Sequence, residues 1–314
     1  MRPNRAIRIK ITGECNRNCC FCHKEGNMAS IQNIVFDEEL KMIIDKLRND
    51  FSIENIALTG GEPLLYPHLV DFVHSINVET NIKNVSITTN GTINLNYCAW
   101  SQMKVDGLFK VNISIPEILN NTKNNGEEHT LFSNQIELIK TLNELEIQVD
   151  INIVVYNDFY TLDNVVRRLT IIKNEYNVDF DIMLLPDLLN YNKSIDTIKS
   201  FRDIHSLNKL STTNVVGTSN TIETYHSKEF GKIFIKTTKL SGTPFRIPLM
   251  CSKCHLKDIC QEGFYGLRLE RRNKKIYIRL CIHKDTDDVV IPFYKFVKSK
   301  LYKELIKIYK QEKE

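Results

Sequence analysis

Six short β-branched runs alternate with stretches of helical periodicity over the first 185 residues, and no other feature restricts the fold as strongly. The runs are AIRIKIT (6 to 12), NIALT (55 to 59), NVSITT (84 to 89), LFKVNISI (108 to 115), QVDINIVVY (148 to 156) and FDIMLL (180 to 185). Helices are expected near 37 to 50, 67 to 76, 94 to 104, 131 to 145 and 160 to 175; in the first, Leu40, Ile43, Ile44 and Leu47 share a face. Strands joined through helices of this length pair in parallel by right-handed crossovers, which places the helices outside the sheet. Six units fall short of the eight that close a full barrel. The expected fold is therefore α/β, a partial (β/α)6 barrel of the TIM type.

A helix near 194 to 206 is expected to end this unit at about residue 210. From 211 to 292 the pattern changes to turns and short strands, SNTIETYHS, GKIFIKTTKLSG and the proline-punctuated TPFRIPL, and reads as a small auxiliary domain. Residues 293 to 314 read as a terminal amphipathic helix, with Tyr294, Val297, Leu301, Leu305 and Ile308 on one side and lysines on the other. Such a helix is expected to dock on the protein and not on a membrane. Lys plus Arg number 42 against 38 Asp plus Glu, an excess too small to make nucleic acid the expected partner. With no apolar run near ~18 residues and no hydrophobic signal core at the amino terminus, a cytoplasmic location is expected.

Nine cysteines in a reducing compartment point to metal centres more than to disulfides, and their placement is uneven. Cys15, Cys19 and Cys22 fall in the loop after the first strand, with spacing C-x3-C-x2-C. Three thiolates on one loop suit a 4Fe-4S cluster with one iron left open. The bland alternative is structural zinc with His23 or Cys20 as the fourth ligand. Cys251, Cys254, Cys260 and Cys281 supply a second set of four thiolates, again open to zinc or to a cluster. Cys98 stands alone and is expected as a small buried residue on a helix.

Other loops on the same barrel face narrow the choice. Thr59-Gly60-Gly61-Glu62-Pro63 follows strand 2, Thr88-Thr89-Asn90-Gly91 follows strand 3, and Ser114 stands near the end of strand 4. Together with Cys15-x3-Cys19-Cys20-Phe21-Cys22, this order and spacing resembles the radical S-adenosylmethionine (SAM) superfamily over residues 7 to about 185. The resemblance implies a 4Fe-4S cluster on Cys15, Cys19 and Cys22 whose open iron chelates SAM. Reductive cleavage of SAM would then give a 5′-deoxyadenosyl radical that abstracts hydrogen from a small metabolite or nucleoside-like substrate. It also implies that Gly60, Gly61 and Glu62 meet the methionine ammonium, that Phe21 packs near the adenine, and that Thr88 and Ser114 bond the ribose or carboxylate.

Cys251-Ser-Lys-Cys254, then Gly266-Leu-Arg268-Leu and Cys281, is similar to the carboxyl-terminal cluster region of the GTP 3′,8-cyclase family of molybdenum-cofactor biosynthesis. This resemblance implies a second, auxiliary 4Fe-4S cluster, with Cys260 as a fourth ligand that the cyclase lacks. It further implies that Arg8 and Arg268 line the substrate side. Where the cyclase carries cations on strands 2 and 5, this chain has Asn55, Ala57 and Asp150, so a triphosphate would forfeit charge-assisted bonds of roughly 1.5 to 3 kcal/mol each. A different substrate is expected. Peptide-modifying relatives carry similar clusters, so a ribosomally made peptide is the alternative substrate; a flavodoxin or ferredoxin is the implied reductant. A non-catalytic zinc or iron-sulfur module is the rival of another class.

Overall fold

The computed structural model describes residues 5–19, 22, 30–115, 128–156, 158–188, 190–214, 220–238, 246–264 and 266–311. β1 (Ala6–Thr12), β2 (Asn55–Gly60), β3 (Asn84–Thr89), β4 (Leu108–Ser114), β5 (Gln148–Val155) and β6 (Asp181–Pro186) pair in parallel in that order. The crossovers are α1 (Glu38–Phe51), α2 (Leu69–Glu79), α3 (Tyr97–Val105), α4 (Glu128–Glu144) and α5 (Phe159–Glu175), and α6 (Tyr191–Ile204) follows β6. Each lies within a few residues of its expected place. Local chemistry fixes several starts: Asp37, Asn96 and Asp158 accept amide hydrogens from Leu40, Ala99 and Thr161 at 2.9, 2.9 and 3.0 Å.

The carboxyl-terminal third extends this same sheet at both edges. β7 (Asn208–Asn214), β8 (Asn220–Ser227) and β9 (Gly231–Thr238) add beyond β6, with β9 parallel to it. After a short α7 (Pro248–Cys251), β10 (Arg268–Arg272), β11 (Lys275–Arg279) and β12 (Val290–Pro292) add beyond β1, with β10 parallel to β1. The order is β12-β11-β10-β1-β2-β3-β4-β5-β6-β9-β8-β7, a curled half-barrel whose eight central strands are all parallel. β7 and the β10–β11 hairpin were not expected from the sequence. The hairpin turn uses Asn273 and Lys274, both at positive φ (47° and 63°), the geometry of a two-residue type I′ turn.

The expected single helix over 293 to 311 is instead two, α8 (Phe293–Phe296) and α9 (Lys300–Gln311). Ser299 causes the break, since its hydroxyl accepts the Tyr302 amide at 3.1 Å and starts a new helix. The phase shifts accordingly: Phe293 and Phe296 are buried, while Tyr294, expected on the apolar side, is half exposed. α9 docks on α1 through Phe51, whose ring meets Tyr302 and Tyr309 edge-on at 5.5 and 5.0 Å. Arg5 clamps the same corner, donating to the carbonyls of Phe51 and Tyr309, each at 3.2 Å. Among the described residues no helix is long and apolar enough to cross a membrane.

Strand alternation divides the sheet into two unlike faces. Outward residues such as Ile7, Ile9, Ile56, Leu58, Val111 and Ile151 are fully buried under the helices. The concave face carries polar side chains instead, including Arg8, Lys10, Thr88, Asn112, Ser114 and Asp150. Lys236 of β9 meets Glu262, in the segment leading to β10, at 3.6 Å.

Phe51→Ala is expected to lower stability by about 3 to 5 kcal/mol, because it empties a fully buried ring site and frees α9. Urea unfolding, with hydrogen exchange followed over residues 300 to 311, checks both effects.

Candidate active site

The first cysteine loop is rooted by backbone contacts that the β1–β2 ladder sends past the strand ends. Gly61 N donates to Thr12 O at 2.9 Å and Glu62 N to Glu14 O at 2.7 Å. A Cβ on Gly61 would lie 1.9 Å from Glu14 O, and one on Gly60 2.4 Å from Thr12 O. Glycine is required at both positions, and Gly60 also holds a φ of 150°. Thr12 adds its hydroxyl, which accepts the Glu14 amide at 3.1 Å.

Glu62 is buried and binds the neighbouring loops together. Its carboxylate accepts from Leu64 N at 2.9 Å, Thr89 Oγ1 at 2.6 Å and Asn90 N at 2.7 Å. Burial pushes its pKa up, and these three bonds oppose that rise. Asn90 continues the chain of contacts to Asn16 at 2.9 Å, Asn16 reaches Thr92 at 2.8 Å, and Gln135 donates to Asn90 O at 2.9 Å. Thr89 and Asn90 stood in the loop quoted from the sequence without a role, and Asn16, Thr92 and Gln135 were missed by sequence reasoning. Their partners lie up to 76 residues away, so no local pattern marks them.

Cys15 and Cys19 are half-buried, Cys22 is exposed, and Cys22 N donates to Cys19 O at 3.1 Å. Burial raises the Cys15 thiol pKa, while an amide hydrogen bond at Arg17 opposes the shift. Phe21 lies outside the described residues, as do Cys20 and His23. Thr88 and Ser114 both stand half-buried on the concave face, with Asn112 beside Thr88 in register. Cys98 is exposed on α3, against the expectation of burial, because that helix turns its Trp100 and Met103 inward.

The second cysteine set stands at the other end of β1. Arg8 of β1 pairs with Arg268 of β10, Arg268 pairs with Arg279 of β11, and Cys281 follows two residues later. From Arg8 to Cys15 the chain runs in the opposite direction for up to roughly 20 Å. Cys251, Cys254, Cys260 and Cys281 share one neighbourhood: burial first, then one another's charge, raises the pKa of Cys251 and of Cys281. Cys260 differs. Burial acts to raise its pKa, but a hydrogen bond from His283 and the amides of Gly263 and Glu262 bring it below the ordinary thiol value. Gly263 N lies 3.3 Å from the Cys260 sulfur. His283 was not picked out from the sequence.

Arg279 secures this loop with all its donors. It bonds Glu270 at 2.9 and 3.3 Å, Asp285 at 2.5 Å, and the carbonyls of Lys284 and Cys281 at 2.9 and 3.4 Å. Arg272 forms ion pairs with Glu270 at 2.6 Å and Asp285 at 2.7 Å. Burial, then Arg8 and Arg279, pushes the pKa of Arg268 well below its usual value. Lys10, two residues beyond Arg8 on the same face, falls from 10.5 to about 8, chiefly through burial and against the pull of Glu270. Asp150 is ion-paired with Lys110 and accepts from Gln148 at 3.0 Å.

Among the described residues no three Cys, His, Asp or Glu side chains already converge as a metal shell. The donor chemistry nevertheless fits iron-sulfur ligation: clustered thiols with N–H groups directed at sulfur, the contacts that tune such clusters.

Residues 9–160 match the family model described as the Radical SAM superfamily, and the fold is a partial TIM-like barrel. The family implies SAM and a 4Fe-4S cluster. More particularly, the chain is similar to proteins named probable GTP 3′,8-cyclase. That of Methanocaldococcus jannaschii is 37% identical over 114 residues, 36% of this chain and 37% of that protein. That of Sulfurisphaera tokodaii is 26% identical over 280 residues, 89% of this chain and 85% of that protein. The stronger identity thus spans little more than a third of the archaeal relative's length. Among solved structures, Streptococcus suis SuiB bound to its precursor peptide SuiA is similar at 15% identity and a TM-score of 0.44, covering 64% of this chain and 47% of that one.

Gly61→Ala is expected to displace the first cysteine loop, so that the iron bound by the protein falls; iron and sulfide assays on the variant check this. Lys10 supplies a pH signature. Its folded pKa lies below the unfolded value, so the unfolded state holds the extra proton between pH 8 and 10.5 and stability rises with pH across that window. The gain is on the order of 3 kcal/mol. Lys10→Met should lack it in urea titrations from pH 7 to 10.

Proposed function

We propose that this chain carries two 4Fe-4S clusters and acts on a small, anionic metabolite or nucleoside-like compound held in the half-barrel between them. The reading is supported most by one arrangement: two cysteine sets at opposite ends of β1, with the basic face formed by Arg8, Lys10 and Arg268 between. Cys15, Cys19 and Cys22 would hold the SAM-binding cluster; Cys251, Cys254, Cys260 and Cys281 would hold the auxiliary one. With both in place the chemistry supplied is reductive cleavage of SAM followed by hydrogen abstraction from the substrate.

The chain's own part is placement. Gly60 and Gly61 hold the cysteine loop against β2, and Glu62 locks the loop after β3, so that Phe21, Thr88 and Ser114 can contact SAM from separate elements. Glu62 has three bonds to its own loops, which leaves its carboxylate at most one further acceptor position for the methionine ammonium. Arg8 and Arg268 would meet the substrate's anionic end. GTP itself is disfavoured, since Asn55, Ala57 and the ion-paired Asp150 stand where the cyclase has cations. A flavodoxin or ferredoxin would deliver the electron.

Anaerobic protein should hold about eight irons per chain and form 5′-deoxyadenosine from SAM under a strong reductant. Cys19→Ala should abolish that product, and Cys254→Ala should remove about four irons while keeping the first cluster. Zinc in place of iron, or full activity in Cys19→Ala, overturns the reading.

A further inference from the structure

The outer edge of the sheet carries a strip of lysines that the site itself does not use. We propose that this strip, on α8 and α9, is the docking surface for an acidic one-electron carrier protein that reduces the iron-sulfur centres. The inference rests on the reductive chemistry proposed above and adds the surface through which the electron arrives.

Charge is concentrated here. Residues 289 to 311 hold six lysines, Lys295, Lys298, Lys300, Lys303, Lys307 and Lys310, with no arginine and one carboxylate, Glu304. The whole chain has a positive excess of only 4, so this one segment accounts for all of it. Each of the six is exposed, and among the described residues none is ion-paired.

The lysines also share a direction. Lys300, Lys303, Lys307 and Lys310 recur at helical spacing and line one side of α9, opposite the buried Leu301, Tyr302, Leu305 and Tyr309. Lys295 and Lys298 continue the strip over α8, which packs on β11 and on the edge strand β12. β12 stands three strands from β1, roughly 15 Å across the sheet. β11, its neighbour, ends two residues before Cys281, so a carrier seated on this edge lies beside the strand that leads into the second cysteine set.

A solvated helix face ordinarily mixes both signs, as α1 does next to it, where Lys41 meets Glu38 and Glu79 and Lys46 meets Asp50. α9 does not. Like charges three and four residues apart destabilise a helix, and Lys300 and Lys303 stand in its first turn, where the dipole repels a cation. A field of one sign is unfavourable to the isolated fold and suits the steering of an anionic partner.

Residue type selects among such partners. Hydrated ammonium groups suit an encounter that forms and parts quickly, as a carrier that reloads elsewhere must, whereas phosphate recognition favours the planar fork of arginine. Nucleic acid would also use stacking rings, and Tyr294 is the one exposed ring among the described residues of the strip. A membrane would need the apolar side of α9, which is already packed on α1 through Phe51. In the transfer the carrier is oxidised by one electron and the cluster is reduced by one, with no bond formed between the proteins. For a flavodoxin, the anionic hydroquinone becomes the neutral semiquinone and no proton is released.

The experiment uses the iron-loaded protein under anaerobic conditions, with reduced flavodoxin and reduced ferredoxin as protein donors and dithionite as a donor that needs no docking. One variant combines Lys300→Glu, Lys303→Glu and Lys307→Glu. A control of equal net charge combines Lys193→Glu, Lys199→Glu and Lys228→Glu at exposed positions elsewhere. Calorimetry should show at least one protein donor binding the parent, with affinity falling about tenfold or more between low and physiological salt. The α9 variant should lose about tenfold or more of that affinity and raise the donor's KM to match, while iron content, kcat and dithionite-driven formation of 5′-deoxyadenosine stay within about twofold. The control should stay within about threefold on every reading. The proposal is overturned if neither donor binds the parent, if the α9 variant binds undiminished, if the control loses as much, or if the α9 variant loses dithionite-driven product. Tighter binding of a single-stranded oligoribonucleotide or of phosphatidylserine vesicles than of either carrier also overturns it. Calorimetry needs no turnover, so the surface is scored by binding even if the parent forms no 5′-deoxyadenosine with dithionite, an outcome that sinks the proposed function.

Discussion

The contact on which the site depends is the close backbone approach between Thr12–Glu14 and Gly60–Glu62. Two amide bonds carry the β1–β2 pairing beyond the strands, and the absence of side chains at 60 and 61 allows it. A chain leaving a strand is otherwise free to wander. Here the first residues of the cysteine loop are held as firmly as a ladder, so Cys15 leaves the sheet in a fixed direction. Glu62 then transfers that order sideways, because a buried carboxylate with three protein donors ties the loop after β2 to the loop after β3. Asn90 and Asn16 return the connection to the cysteine loop itself. Rigidity at this end comes from a closed circuit of polar contacts, each made inside the protein where an unmade bond would be costly.

The opposite end is organised by charge. Arg279 reaches the carbonyl oxygens of Cys281 and Lys284 while its other nitrogens are fixed by Glu270 and Asp285. A guanidinium with planar, directional donors can hold a loop and two carboxylates together, a task that a lysine's single charge centre performs poorly. The same sheet that separates the two cysteine sets also presents basic residues between them. Outer faces are packed with Ile, Val and Leu beneath helices, and the concave face keeps ionisable groups at a cost to stability. That division is what a half-barrel enzyme needs: a cohesive exterior layer and an interior free to be specialised.

Much of this was legible before any coordinates. The β/α alternation gave the six parallel strands and their helices almost to the residue, since amphipathic period and capping residues such as Asp37 and Asp158 are local signals. Arg8 and Arg268 were singled out, and the structure sets them side by side. The misses share one cause. Lys10 sits in an apolar run and reads as an ordinary strand lysine until β10 is placed against β1. His283, Asn16 and Asn90 matter through partners distant in sequence. The terminal helix was read as unbroken because periodicity cannot register the serine cap at 299 that resets its phase, and Cys98 was assigned to a core that its helix turns away from.

The sequence by itself determined the layers, the order of the barrel strands, and two thiol sets of the kind that hold iron and sulfur. These follow from short-range periodicity, spacing and the side-chain inventory. Only the tertiary structure decided that the carboxyl-terminal third would enter the same sheet at both edges, with β9 beside β6 and β10 beside β1. Edge pairing is chosen by which strand edges remain open once the barrel has formed, and that is a property of the assembled sheet. Through that choice Arg268 meets Arg8, and the two cysteine sets take opposite ends of one strand.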